Sequence, residues 1–412
     1  MKKISSKTIL ATANLVALSV GGFANAQSVS TPPAVTPAKP VGFVVPEWKS
    51  SDSAMIVRLR GRVVHDFFSV DTNLGGTAND FEISKDSLRA LRFGIDGQFS
   101  RKVKFRADAN LTDSQINWAD VYVGYTGTKY EAYIGQQRLG TTFEPVGPDI
   151  NYAMPEISLV NIAFGQAGRN FGVVGRVKGA TWQSVLTLSS GELNAGDVFA
   201  DDVVRSISLR STYALRNKPR DVLHIGGSLR VRDAQNGPLL RYATRPASTN
   251  FGRRLLDSGR LAGGDTTLSF EGLAIQGSFM LSAEHQILWA DTPRGTAQMS
   301  GSYVEGSWWL TGENRNYQVG AGAITMVRPK RSVRVGGPGA IALVARAEQL
   351  DQSDAILGAQ AGSAKSLSLG VAWMPVDFVM LRLTAAQNWL DRPLPSQSGN
   401  ARVLLARAQF SF

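Results

Sequence analysis

The chain has no cysteine, only three histidines, and no long apolar run after its first 26 residues. The absence of cysteine excludes disulfides, thiol chemistry and a lipoprotein anchor. No later segment reaches the ~18 apolar residues of a membrane helix. The G-x-S-x-G and HExxH motifs, phosphate-binding glycine loops and Cys/His metal clusters are also missing. We therefore expect no catalytic residues, no metal site, no cofactor and no nucleic-acid partner.

The N-terminus has the three parts of a secretory signal peptide. Lys2, Lys3 and Lys7 form a positive region, residues 9–20 are apolar, and residues 24–26 read Ala-Asn-Ala. Small residues at the first and third of these positions are typical of a cleavage site. We expect cleavage after residue 26, which removes three lysines and no acid and lowers the formal charge from +11 to +8.

Residues 27–51 begin with a stretch rich in Pro, Ser, Thr and Ala, which predicts a short extended leader on the periplasmic side. From residue 52 to residue 412 the sequence alternates between apolar and polar residues, with no break in composition. We interpret residues 52–412 as one domain made of β-strands.

The last strand shows this alternation most clearly. Phe412, Phe410 and Leu404 share an apolar face with two alanines, whereas Ser411 and Arg407 lie on the polar face. A secreted chain that ends on such a strand is typical of bacterial outer-membrane barrels, whose outer face meets lipid and whose inner face meets the lumen. We therefore predict an all-β fold, a transmembrane antiparallel β-barrel of sixteen strands in the outer membrane.

Basic residues recur on the polar faces of the predicted strands. A charge on the lipid face costs roughly 2–4 kcal/mol at midplane, so these side chains are expected to point inward, where they would attract anions. Two further arginines, Arg138 and Arg169, lie at the ends of a long Pro-rich connection, residues 138–170. The candidate anion-binding, pore-lining residues are Arg58, Arg60, Arg62, Arg92, Lys102, Lys104, Arg106, Arg138, Arg169, Arg230, Arg232 and Arg382.

Two connections are predicted to be long, residues 138–170 and 233–266, and one of them to fold into the lumen. Aromatic residues near strand ends predict a girdle at the membrane interfaces. The predicted girdle residues are Trp118, Tyr122, Tyr125, Tyr130, Tyr133, Trp308, Trp309, Trp373 and Trp389.

Several segments, in order over residues 52–412, resemble the phosphate-selective porin O/P family. They include residues 88–97, 120–125 and 303–313, within which Leu-Thr-Gly-Glu at 310–313 is the most specific. The resemblance implies a trimeric, sixteen-stranded channel for phosphate or polyphosphate, with an arginine and lysine ladder leading to a constriction. Arg62 matches a lumenal arginine of the family. Two other basic positions of the family fall at Pro145 and Ile157.

Three functions remain open from the sequence. The first is a passive anion channel, for phosphate or polyphosphate or, given Pro145 and Ile157, for anions and small solutes in general. The second is an outer-membrane barrel hydrolase, which needs a serine beside His65, His224 or His285 on a lipid-facing strand position. The third is a structural barrel with a plugged lumen.

Overall fold

The computed structural model describes residues 45–412 except 76–79, 113–115, 167, 196–202, 235–236, 246–253 and 394–397. The predicted signal peptide and residues 27–44 of the predicted leader therefore lie outside the described residues. The described chain is almost entirely β-structure. None of its helices is long and apolar enough to span a membrane.

The chain forms twenty-one strands and two short α-helices in the described residues. The strands are β1 Glu47–Lys49, β2 Ile56–Asn73, β3 Glu82–Gln98, β4 Val103–Asn110, β5 Asn117–Thr126, β6 Tyr130–Arg138, β7 Arg169–Lys178, β8 Trp182–Ser189, β9 Arg205–Lys218, β10 Asp221–Asp233, β11 Leu240–Thr244, β12 Leu256–Ala262, β13 Gly264–Gln276, β14 Phe279–Thr292, β15 Gly295–Trp309, β16 Tyr317–Gln318, β17 Ala323–Ile324, β18 Ala340–Gln352, β19 Gly362–Val376, β20 Val379–Asp391 and β21 Gly399–Ser411. The α-helices are α1 Phe143–Val146 and α2 Leu159–Ala163. Single 3-10 turns occur at Asp149–Asn151, Leu193–Ala195, Val319–Ala321, Val333–Val335 and Ala355–Gln360.

Sixteen of these strands form a closed antiparallel barrel, which confirms the predicted fold class. Each barrel strand pairs with the next along the chain, and β21 pairs with β2 from Arg62↔Ser411 to Asn73↔Asn400 to close the sheet. The remaining strands lie outside this cycle: β1 pairs with the start of β2, and β11–β12 and β16–β17 are small separate hairpins. Closure leaves no free sheet edge, which suits a membrane setting.

The terminal phenylalanine completes this closure at Gly61 of β2. The backbone groups of Gly61 and Phe412 exchange two hydrogen bonds, of 3.0 and 2.9 Å. A Cβ at position 61 would lie 2.2 Å from the Phe412 ring, so a larger residue there would force the ring to move off the strand. Phe412 therefore packs on the outer face of β2, the first barrel strand.

Side-chain alternation follows the predicted registers. On β2, Leu59 and Phe67 point outward and are 50% and 59% exposed, whereas Val64 and Asp66 are fully buried inside. On β21, Leu404 points outward, and Arg407 is buried inside. Side chains on a strand alternate with a period of two, so agreement between predicted and observed directions at these positions determines which residues of β2 and β21 face inward and outward.

Short connections gather at one end of the barrel, here called the turn end, and comprise residues 99–102, 127–129, 179–181, 219–220, 277–278 and 377–378. The opposite end, called the loop end, carries most of the longer connections, including residues 139–168 and 234–263. The sequence prediction missed a third long connection, residues 310–339, which follows β15 at the turn end. No periodic signal marks this connection, because it folds as short turns and two-residue strands.

Six of the nine predicted girdle aromatics point outward, but Tyr122, Tyr133 and Trp309 do not. Tyr122 and Tyr133 line an internal cavity, and Trp309 is almost completely buried. Trp309 differs because it ends β15 in the inward register, next to the outward Trp308. The girdle prediction is therefore wrong for these three residues.

Candidate functional site

Residues 139–168, called the inner loop, fold into the lumen and pack against the wall made by β14, β15, β18, β20 and β21. α1 and α2 belong to this loop, and most of its residues are buried. This location confirms that one of the two predicted long connections enters the barrel.

A buried network of carboxylates and amides attaches the inner loop to the wall. Glu284 accepts hydrogen bonds from the backbone N–H of Glu144 (2.9 Å) and from Asn161 Nδ2 (2.6 Å). Glu348 accepts one from the backbone N–H of Leu159 at the start of α2 (2.6 Å). Acids at a helix start satisfy donors that the helix leaves free.

Arginines complete the attachment of the inner loop. Arg346 donates to Glu144 and Glu305, and Arg407 donates to Asp66 and Glu156. All of these side chains are nearly or completely buried, so each charge depends on its partner for stability. The network fixes one side of the lumen and leaves open space along the other wall, from β2 to β9.

The missed connection, residues 310–339, enters the lumen from the turn end and meets the inner loop. Asn151 donates to the backbone carbonyl of Ile324 (2.8 Å), and Arg315 donates to the carbonyl of Asn151. Arg210 of β9 donates to the carbonyl of Gly322 (2.7 Å). The two segments thus narrow the barrel together.

Two cavities in the described part of the barrel border the inner loop. The larger, called the lower cavity, has a volume of about 810 Å³ and is lined by β2–β9, the inner loop and the turn-end connection. The smaller, called the upper cavity, is about 320 Å³ and lies between the inner loop and β3. Both are lined by Arg138 and Asp149, so these two residues mark the constriction between them.

The lower cavity is strongly basic. Nine arginines and four aspartates line it, a formal excess of five positive charges in the lining. Three further acids just behind the lining, Asp96, Glu131 and Glu271, pair with Arg60, Arg176 and Arg210. The arginines are Arg60, Arg62, Arg92, Arg106, Arg138, Arg169, Arg176, Arg210 and Arg328, and the aspartates are Asp108, Asp120, Asp149 and Asp377.

At the constriction, Asp149 of the inner loop bridges two arginines. It accepts hydrogen bonds from Arg62 Nη2 (2.5 Å) and Arg138 Nη1 (3.1 Å). Burial alone would raise the pKa of Asp149, but the Arg62 and Arg138 guanidinium groups hold it well below its usual range. A fixed carboxylate therefore lies between two cations at the point where the two cavities meet.

The twelve predicted residues fall into three groups. Six line the lower cavity: Arg60, Arg62, Arg92, Arg106, Arg138 and Arg169. Three lie near the turn end, outside the lining of both cavities: Arg58, Lys102 and Lys104. Lys102 was predicted as a strand residue but belongs to the turn 99–102, because β4 begins at Val103.

The third group holds loops in place. Arg230 donates to the carbonyl of Phe164 (2.6 Å), and Arg232 pairs with Asp265. Arg382 donates to the carbonyls of Asp149, Tyr152 and Met154 at 3.2–3.3 Å. These three arginines face inward as expected, but their Nη donors are bonded to protein acceptors.

Sequence reasoning missed Arg89, Arg176, Arg210 and Arg328 as cavity residues. Alternation could have identified Arg176 and Arg210, since both lie on regular strands. Arg89 could be placed only by knowing that a β-bulge opposite His65 shifts the register of β3. Arg328 lies in an irregular segment, where alternation gives no signal. Sequence reasoning also missed the inward acids of β13–β18, which are Asp265, Glu271, Glu284, Glu305 and Glu348.

The histidines differ in their surroundings. His65 lies on the outer face beside Asp86 (3.1 Å), and His224 is buried against Tyr317 and Glu271. His285 lies on the outer face with Nδ1 2.7 Å from Ser302 Oγ. No group of three acids or histidines in the described ranges is arranged to hold a metal ion.

Comparison with known proteins gives the family. The sequence model described as phosphate-selective porin O and P matches residues 57–412. The chain belongs to this family. Its short-turn end is therefore expected to face the periplasm, as in other outer-membrane barrels.

Individual relatives are distant. An uncharacterised protein of Caulobacter vibrioides is 24% identical over 391 residues, which cover 86% of this chain and 77% of that protein. An anion-selective porin from Comamonas acidovorans superposes with a TM-score of 0.55 at 13% identity, covering 86% of this chain and 99% of that one. The trimer form of OmpT, an outer-membrane protein of Vibrio cholerae, gives 0.54 at 11% identity, with coverages of 87% and 100%. At these identities the structural likeness supports the porin-type barrel fold.

Proposed function

We propose that this porin is a passive anion channel whose path runs through the two cavities and past the constriction at Arg138 and Asp149. The excess of arginine over aspartate in the lower cavity is the observation that carries the proposal. In a narrow aqueous pore, one sign of fixed charge attracts counter-ions and repels co-ions. Solutes then diffuse down their gradient without catalysis or energy input.

The arginines of the lower cavity also have donors to offer. The Nε atoms of Arg60, Arg62, Arg106, Arg138 and Arg176 are buried and have no acceptor among the described residues. Unsatisfied buried donors are unfavourable, so a shift of these side chains that brings an anion or water to the buried Nε atoms is favoured.

Arg92 is the strongest candidate for direct anion contact. It lies directly opposite Arg62 in the β2–β3 register, which places two positive charges side by side. Its Nε donates to Asn110 Oδ1 (2.9 Å), and no carboxylate lies within 4.0 Å of it in the described part of the chain. A pair of adjacent arginines is stabilised by an anion bound between them.

Phosphate or polyphosphate is the proposed solute. The family description and the anion selectivity of the Comamonas porin support an anion, and the arginine fork binds phosphate with two parallel hydrogen bonds. Pro145 and Ile157, at two usually basic positions, support the alternative of a general anion or small-solute porin. Arg138 and Arg169 are the nearby arginines that would take over those roles.

Single-channel recording with phosphate as a blocker of chloride current tests this proposal. We expect Arg92→Gln to weaken phosphate block by about 10–100-fold, the value of a hydrogen bond to a charged group. Arg101→Gln, at an exposed turn position outside both cavity linings, is the matched control and should leave block unchanged. Equal block in both variants would contradict a role for Arg92, and block absent from the parent protein would favour the general porin.

The setting of the channel is part of the proposal. Its family and the outer-membrane proteins that share its fold support an outer-membrane location, in contact with outer-membrane lipid. We further expect export through a signal peptide cleaved after residue 26 and assembly as a homotrimer, for which the trimer form of OmpT is a precedent.

The hydrolase alternative is supported by one contact, the pair His285–Ser302 on the outer face. A catalytic histidine also needs a partner on its other ring nitrogen to orient it, and none is hydrogen-bonded to His285 Nε2 in the described residues. The channel is therefore the better-supported function. Loss of lipid hydrolysis in His285→Ala, measured on a parent protein that shows it, would reverse this ranking.

A further inference from the structure

An apolar groove of about 900 Å³ runs along the outer surface of β13–β21, away from the pore. Its floor is one cross-strand row made of leucines and small residues. In register order the row is Leu281, Gly306, Ala345, Leu369, Ala385 and Leu404. The small residues at three of these positions form an apolar depression in the outer surface.

Polar residues border the groove on the side of the loop end. His285, Ser302, Gln349 and Lys365 lie directly opposite one another on four adjacent strands, all on the outer face. One apolar row separates them from the groove floor, and this row ends in Gln387 and Arg402 on β20 and β21. The groove floor is thus apolar, and polar residues lie along its loop-end side.

Two cations in this border have no acidic partner among the described residues. Lys365 and Arg402 are exposed, and no carboxylate lies within 4.0 Å of either one in the described part of the chain. The nearest contact of Arg402 is Gln387 Oε1, at 3.4 Å. Asp71 lies opposite Arg402 in the β2–β21 register but beyond ion-pair distance. Most lumenal arginines, by contrast, are paired with acids.

Exposed Trp389 lies directly opposite Lys365 and adjacent to Gln387 on the same outer face. Tryptophan is enriched at the level of lipid head groups, so it places both cations near that level. A cation at this depth is favoured by an anionic head group. The charge and the groove together describe a ligand with a phosphate at one end and acyl chains at the other.

We propose that this surface binds one phosphorylated glycolipid of the outer leaflet. Its phosphate would contact Lys365 and Arg402, with Gln349 and Gln387 as further hydrogen-bond donors, and one acyl chain would fill the groove over Ala345 and Ala385. The site lies apart from the pore; it rests on the proposed outer-membrane location and not on anion conduction.

Native mass spectrometry of the purified full chain, with a diphosphorylated glucosamine lipid as the probe, tests the proposal. We expect the parent protein to retain one lipid and the double variant Lys365→Gln/Arg402→Gln to bind it on the order of 30-fold more weakly. Arg101→Gln/Lys129→Gln removes the same charge at the turn end and should bind as the parent does. Anion conductance should be equal in all three proteins.

A second variant tests the groove without changing charge. Ala345→Phe points outward and fills the depression, so we expect it to fold normally and to lose the retained lipid. Equal binding of phosphatidylglycerol and the glycolipid, or unchanged binding in both test variants, would overturn the proposal. The proposal would also be overturned if the double variant lost its oligomeric state but kept the lipid, because the surface would then be a contact between subunits.

Discussion

Replacing Asp149 by asparagine should strengthen anion binding at the constriction. In the parent protein this carboxylate accepts hydrogen bonds from Arg62 and Arg138 and so uses part of their positive charge. Asparagine keeps the size of the side chain and one acceptor oxygen but removes the negative charge. The two guanidinium groups then become available to a permeating anion.

The size of the effect follows from Coulomb's law. An anion about 5 Å from Asp149 is repelled by about 1 kcal/mol in bulk water and by about 3 kcal/mol at an effective dielectric constant of 20. The side chains of Asp149, Arg62 and Arg138 are 15–23% exposed, so the local environment lies between these limits. Phosphate block should therefore strengthen by about 5–100-fold.

Phosphate block of single-channel chloride current measures this change, with Asp52→Asn as the control. Asp52 precedes β2 and is outside both cavity linings, so its neutralisation should leave block unchanged. Asp149→Asn could also loosen the inner loop, which would admit larger neutral sugars, so their exclusion is measured in parallel. Weaker or unchanged block with sugar exclusion intact would refute the reasoning.

Three further outcomes are expected. Arg346→Met should lower the free energy of unfolding by about 3–5 kcal/mol, because it leaves Glu144 and Glu305 buried without their partner. Thermal unfolding in detergent measures this change, with Arg294→Met at an exposed position as the control. Because the pKa of Asp149 is depressed in the folded protein, its contribution to attachment of the inner loop is complete above the ordinary carboxyl pKa of about 4 and is lost as pH falls through the lower folded value. Release of the inner loop by acid, measured through conductance, should therefore be absent between pH 5 and 8. The effect of acid should be smaller in Asp149→Asn. Replacing residues 314–336 with a short turn should raise conductance severalfold and admit larger neutral sugars, because this segment occupies the lumen beside Asn151 and Arg210; unchanged sugar exclusion would contradict its placement.

Strand faces could be predicted from sequence because lipid and lumen impose opposite demands on neighbouring residues. Leu59, Arg60 and Arg407 illustrate this, since each lies on the face that its polarity requires. The same alternation would have placed Glu284, Glu305 and Glu348 inside, but their role emerges only when the inner loop is seen to dock on them. Attachment of a loop to a distant wall is a tertiary event that no local pattern encodes.

The candidate site could be predicted only in part for the same reason. Alternation indicates that Arg62 and Arg230 both face inward, but it cannot distinguish a cavity residue from one whose donors bind a loop carbonyl. Asp149 is a further example, because a single acid in an irregular segment gives no signal that it bridges two strand arginines. These contacts depend on the path of the inner loop through the lumen.

Zero-current potential of the purified protein across a KCl gradient tests the central claim most directly. The excess of arginine over aspartate around the lower cavity predicts a potential close to the chloride equilibrium potential at low salt, moving toward zero as salt screens the charges. A potential close to that of potassium, or no conductance at all, would contradict an anion channel.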